Sequence, residues 1–119
     1  MKIALDAMGG DFAPAHPVEG VVRALREYSD FSVILVGDEE KVRAEVARHD
    51  TSGLEDRLTY FHASQVVDMK DSGLDSVRRK KDSSISRAVD LVKQGQADAV
   101  VSAGHTGALV ASATIKLRT

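Results

Sequence analysis

Cysteine is absent from this 119-residue chain, and aromatic residues make up only 4% of it. Without cysteine there is no thiol nucleophile, no disulfide staple and no thiolate metal site, a usage that agrees with a reducing, cytoplasmic setting. Net charge is −2, from 16 basic and 18 acidic residues. That balance, with so few rings to stack on bases, argues against a nucleic-acid surface. No apolar run approaches the roughly 20 residues needed to span a bilayer. The start Met1-Lys2-Ile3-Ala4-Leu5-Asp6 meets an acid too early for a signal peptide. Any membrane contact is therefore expected to be peripheral. P-loop, nucleophile elbow, paired catalytic histidines and internal repeats are missing as well. Asp38, at the end of an apolar run, stands where a dinucleotide fold grips ribose. However, Gly9-Gly10-Asp11 lacks the G-x-G-x-x-G spacing that admits pyrophosphate, so Asp38 reads as a helix cap.

Hydrophobic residues make up 43% of the chain, enough for one modest core. Apolar runs at Ile3 to Leu5, Ser32 to Val36, Leu58 to Phe61 and Ala97 to Val101 read as strands alternating with amphipathic helices. That alternation predicts an α/β domain on a mainly parallel sheet. The first helix carries a stripe of Val18, Val21, Val22, Leu25 and Tyr28, with Pro17 near its start. Asp38 caps a second helix with Glu39 and Glu40 in its first turn and a stripe of Val42 and Val46. Ile85, Ala88, Val89 and Val92 make a third, ended by Gly95. Between Val66 and Lys80, polar residues and Gly73 break any period and predict an irregular excursion.

Two strand-to-helix junctions carry the chemical signal. Ser102-Ala103-Gly104-His105-Thr106-Gly107-Ala108 lies between an apolar strand and a helical pattern at Leu109, Val110, Ala113 and Leu117. Unpaired N–H groups at a helix start attract anions, and glycine lets the main chain approach them. The plain alternative is a tight connection whose glycines serve backbone geometry alone. Ser102 and Thr106 favour phosphate, because they add hydroxyl donors that a turn does not need. Asp6-Ala7-Met8-Gly9-Gly10-Asp11 is the second junction. Its aspartates repel an anion unless they position other groups, and two acids are too few for an oxygen-ligand metal site, so no metal and no cofactor are expected. In the only basic cluster, Arg78-Arg79-Lys80-Lys81, Lys81 combines with Ser83 and Ser84 at a helix start into a second oxyanion cradle. The first basic residues could face an acidic partner. Ligands bind beyond the carboxyl ends of parallel strands, and these loops converge there.

The segments 6–14, 77–84 and 102–108, in this order and spacing, resemble the bacterial phosphate acyltransferases of phospholipid synthesis. The resemblance implies a three-layer αβα sandwich, Rossmann-like and similar to the phosphotransacetylase and isocitrate dehydrogenase folds. It implies transfer of a fatty acyl group from acyl carrier protein to inorganic phosphate, giving acyl phosphate for a downstream membrane acyltransferase, in a homodimer. His105 and Lys81 are then the expected catalytic residues. Ser83, Ser84, Ser102, Gly104, Thr106 and Gly107 would bind phosphate, and Asp6, Gly9, Gly10 and Asp11 would shape the site. Position 105 is usually asparagine in the family. Because the family is much longer and the chain stops within a helical pattern at Lys116-Leu117-Arg118-Thr119, residues 1–119 are expected to be the N-terminal part of a single domain. Such a fragment is expected to be inactive alone. The alternative in a different class is a non-catalytic phosphate-ligand binding domain.

Overall fold

The computed structural model describes residues 1–10, 12–65 and 82–102. Strands β1 (Lys2–Asp6), β2 (Ser32–Gly37), β3 (Leu58–His62) and β4 (Ala99–Val101) form one sheet in the order β3-β2-β1-β4. Every pairing is parallel. Helix α1 (Ala15–Glu27) joins β1 to β2, α2 (Glu39–Val46) lies between β2 and β3, and α3 (Ser84–Lys93) precedes β4. This is the α/β architecture that the alternating pattern predicts.

The strands alternate sides with a period of two. Val33 and Leu35, with Leu5 packed against them, face a cluster with Val18, Val21, Val22 and Leu25 of α1 and Val42 and Val46 of α2. Ala4, Ile34 and Val36 face Ala88 and Leu91 of α3. Three layers result, and connection handedness explains the split. The chain steps one way from β1 to β3, then returns past β1 to reach β4. A right-handed crossover in the reverse direction places its helix on the opposite face, which is where α3 lies.

Helix ends follow local chemistry. Asp38 Oδ1 accepts from the Lys41 amide at 3.2 Å, the expected cap. Gly95, at φ 78°, takes the left-handed conformation just beyond α3. Tyr28 departs from expectation: it is 56% exposed and extended, because the chain leaves α1 there rather than continuing its stripe. Arg57 is the reason the exit is stable. Its guanidinium donates to the carbonyls of Leu25 at 2.8 Å, Tyr28 at 2.6 Å and Phe31 at 2.9 Å, satisfying acceptors that the helix end and the turn to β2 leave over. β4 begins at Ala99 rather than Ala97, because Asp98 turns to β1: its amide donates to Lys2 O and its carboxylate accepts from Lys2 N, both at 2.7 Å.

Candidate functional site

Strand order reverses at β1 and β4: α1, which follows β1, covers one face of the sheet and α3, which leads into β4, covers the other, so a crevice opens where the two strands end. Asp6 closes β1 and is only 2% exposed. Its Oδ1 accepts from the Met8 amide at 3.0 Å, and its Oδ2 accepts from the Ser102 hydroxyl, just past β4, at 2.8 Å. Buried carboxylates are costly unless such donors replace water. The bond between Asp6 and Ser102 therefore both satisfies the acid and ties together two loops 96 residues apart.

Beside this bond lies a cavity of about 340 Å³ with Asp6, Gly9 and Gly10 at its polar edge and Leu5, Phe12 and Val101 among its apolar walls. Gly10 has φ 92°, a left-handed conformation in which a side chain would be strained. His16 of α1 also lines the cavity, its ring 4.7 Å from that of Phe12. Sequence reasoning missed His16. The only available signal was a titratable ring at the start of the helix that follows a glycine loop.

Ser83 and Ser84 open α3 at the same edge of the sheet but on its other face, and neither lines the cavity. Both are 2% exposed. Ser83 caps α3, accepting from the Ser86 amide at 3.1 Å, and the Ser84 amide donates to Gln65 O at 3.1 Å. Two of the first three amides of this helix are thus engaged by the protein itself.

A network that the sequence did not reveal fixes this helix start. Asp82 Oδ2 accepts from the Ser64 amide at 3.0 Å and from the Ser64 hydroxyl, while Arg87 Nε meets Asp82 Oδ1 at 2.6 Å. Gln65 N donates to Asp82 O at 3.1 Å, and Gln65 pairs with Ser83 as an isolated bridge. The Ser64 hydroxyl first, then the Arg87 guanidinium and the Ser64 amide, hold the Asp82 carboxyl down at about 2. Arg87 also reaches Asp90 at 3.3 Å.

Of the expected site residues, Asp6, Gly9, Gly10 and Ser102 come together, and Ser83 and Ser84 share their edge. Asp11, Lys81, Gly104, His105, Thr106 and Gly107 lie outside the described residues, as do the basic run from Arg78 and the helical pattern after Gly107. The N-cap position of α1 is Pro14. Among the described residues no helix is long and apolar enough to cross a membrane.

The fold places this crevice at a reversal of strand order in a parallel α/β sheet, and comparison with known proteins gives the family. Residues 1–119 match the family described as "Fatty acid synthesis protein", and the chain belongs to it. It is 54% identical over 118 residues to the phosphate acyltransferase of Geobacter sulfurreducens, covering 99% of this chain and 33% of that protein. The phosphate acyltransferase of Akkermansia muciniphila is 56% identical over 119 residues, covering 99% of this chain and 34% of its own. The chain thus spans about a third of the length of the curated relatives it matches.

Proposed function

We propose that the protein transfers a fatty acyl group from acyl carrier protein to inorganic phosphate, giving an acyl phosphate for phospholipid synthesis. The observation that carries this reading is the Asp6–Ser102 bond, which fixes the start of the glycine-rich loop 102–107 at the mouth of the crevice. Membership of a fatty acid synthesis family, and relatives named phosphate acyltransferase, supply the acyl and phosphate chemistry.

In this reading phosphate is the nucleophile. Amides of the loop, Thr106 and the Lys81 ammonium hold it against the thioester carbonyl, so that attack becomes effectively unimolecular. His105 or loop N–H groups stabilise the tetrahedral oxyanion, each such donor worth roughly 3 kcal/mol of barrier. The pantetheine thiolate is a good leaving group, so no acyl-enzyme and no strong general acid are needed. The active protein is a homodimer in the cytoplasm, touching membrane at most peripherally, and its product passes to a membrane acyltransferase.

The test uses the full-length protein and long-chain acyl carrier protein, following release of the free carrier thiol. Release that depends on added phosphate is expected. Phosphate binding without any release would overturn the reading in favour of a non-catalytic phosphate-binding domain.

A further inference from the structure

We propose that the acyl chain of the substrate lies in an apolar groove between α1 and the sheet, entered from the crevice beside Asp6. The inference rests on the reading that the protein transfers a fatty acyl group. It adds where the tail of that group goes, and so what sets chain-length preference.

The groove, of about 360 Å³, follows β1 on the side of the sheet that α1 covers. Strand register builds its floor. Ile3 and Leu5 share one face by the period of two; Ile3 stands beside Val33 of β2, and Leu5 beside Val101 of β4. One stripe of α1 makes the wall, with Pro17, Gly20, Val21 and Ala24 at helical spacing. No residue that lines the groove has a polar side chain, so a phosphate or a peptide would lose its water there without replacement. A hydrocarbon chain needs no such partner.

Two observations point to that occupant. The first is continuity: Leu5, Pro17 and Val101 line both the groove and the cavity that has Asp6, Gly9 and Gly10 at its polar edge. A substrate reacting at the carboxyl ends of the strands therefore trails its tail into the groove. From Pro17 to Ala24 the helix rises about 10 Å, the length of roughly eight methylenes at about 1.25 Å each. The second is Gly20. Glycine inside a helix is destabilising relative to alanine, yet a Cβ added here would meet nothing within 4 Å. No described neighbour requires this glycine; what the missing side chain provides is width in the groove.

The experiment follows phosphate-dependent thiol release by the full-length protein from octanoyl, dodecanoyl and hexadecanoyl carrier proteins. Values of kcat/KM are expected to rise with chain length. Gly20→Phe fills the groove and should lower the hexadecanoyl-over-octanoyl ratio at least about tenfold. Arg23→Phe adds the same ring on the exposed side of α1 and should leave that ratio unchanged. Gly20→Ala adds one methyl group at a helical position and should lower the ratio less, with thermal stability unimpaired, which keeps the test readable if the larger variant fails to fold. A hexadecanoyl carrier protein with a terminal diazirine should, on irradiation, label α1 or β1 residues of the groove. Labelling elsewhere, or a Gly20→Phe protein that is destabilised and loses all chain lengths equally, shows that another part of the protein or a second copy fills the groove. Either result overturns the proposal, while wild-type thiol release keeps the acyltransferase reading intact. A wild-type protein that releases no thiol at any chain length refutes that reading, and the groove assignment with it.

Discussion

Replacing Arg57 by alanine isolates a contribution that no hydrophobic pattern predicts. The guanidinium makes four hydrogen bonds, of 2.6–3.0 Å and all to main-chain carbonyls: Nε and Nη2 to Phe31 at 3.0 and 2.9 Å, Nη1 to Leu25 at 2.8 Å, and Nη2 to Tyr28 at 2.6 Å. It also stacks 5.8 Å from the Phe31 ring centroid. Hydrogen bonds to charged groups contribute about 1.5–3 kcal/mol each. Water reaches some of these carbonyls once the arginine is gone, and the freed side chain regains rotamer entropy, so a loss of about 2–4 kcal/mol is expected. Arg57→Lys should recover less than half, because an ammonium offers a point charge and not a planar fork. Arg57→Met controls for the packing of the stem. Urea unfolding of the full-length protein gives the magnitude, and amide exchange locates it: protection should fall first at the end of α1 and the turn into β2. A change below about 0.5 kcal/mol, or exchange unaltered over residues 25–31, would refute the assignment of Arg57 as the cap of α1.

Asp82, held at about 2, has a folded value below its unfolded one, so its stabilisation is present above about pH 4 and is lost as pH falls toward 2. Because its side chain is about a third exposed, the contribution is discounted for solvent screening to about 1 kcal/mol; Asp82→Asn should cost this at pH 7 and progressively less as pH falls through about 2, and a pH-independent difference in unfolding free energy would refute the linkage. At Gly37 an added Cβ would stand 2.7 Å from Met8 Cγ and 3.0 Å from Met8 Sδ. Gly37→Ala should cost about 1–3 kcal/mol by overpacking, Met8→Ala should relieve part of it in the double variant, and strict additivity in thermal unfolding would dismiss the contact. On the proposed function, Lys81→Ala in the full-length protein should raise the phosphate KM more than Arg78→Ala, since Lys81 lies next to Ser83 and Ser84 in sequence while the first basic residues are the ones proposed to face an acidic carrier; equal effects would remove the distinction. Asp98→Ala breaks the tie between β4 and the first residue of β1 and should lower stability by about 1 kcal/mol with phosphate KM unchanged; a rise in KM would show that the two ends of β4 are coupled.

What was legible in the sequence was what depends on neighbours along the chain. β2 and β3 begin at Ser32 and Leu58 as the apolar runs indicate, and β1 exceeds its run by one residue at each end. The stripes Val18-Val21-Val22-Leu25 and Val42-Val46 are buried, the Asp38 cap is made, and Gly95 ends α3. Each is fixed within a turn or two by period, cap chemistry or glycine's freedom. The face of the sheet that α3 covers follows from strand order, which a list of elements does not contain. Leu91 was left out of its stripe and is 1% exposed, because α3 packs against both β1 and β2 and so buries a wider arc than four residues define.

The place where the site residues meet was legible, and their bonding was not. The junction after β1 and the segment from Ser102 were expected to converge at one sheet edge, and Asp6, Gly9, Gly10 and Ser102 do meet there, yet the Ser102 hydroxyl donates to Asp6 and the Ser83 hydroxyl caps its own helix. Residue type gives a group's capacity to donate or accept; only the fold decides which partner takes it. Arg57 and Asp82 were unremarked for the same reason, since their partners lie up to 32 and 18 residues away.

The shortness of β4 gives the Asp6–Ser102 bond its structural reason. Three residues pair with β1, too few for the ladder alone to hold the strand firmly. Side-chain bonds at both ends make up the difference: Asp98 grips Lys2 where β4 begins, and Ser102 grips Asp6 where it ends. Both span the same 96 residues of chain, so together they fix the register in which Leu5 stands beside Val101. A slip of one residue would exchange the faces of β4 and carry Ser102 away from the acid. The contact that sets the register is therefore the contact that places Ser102 beside Asp6, and a protein built this way cannot loosen that edge of the crevice without also loosening its sheet.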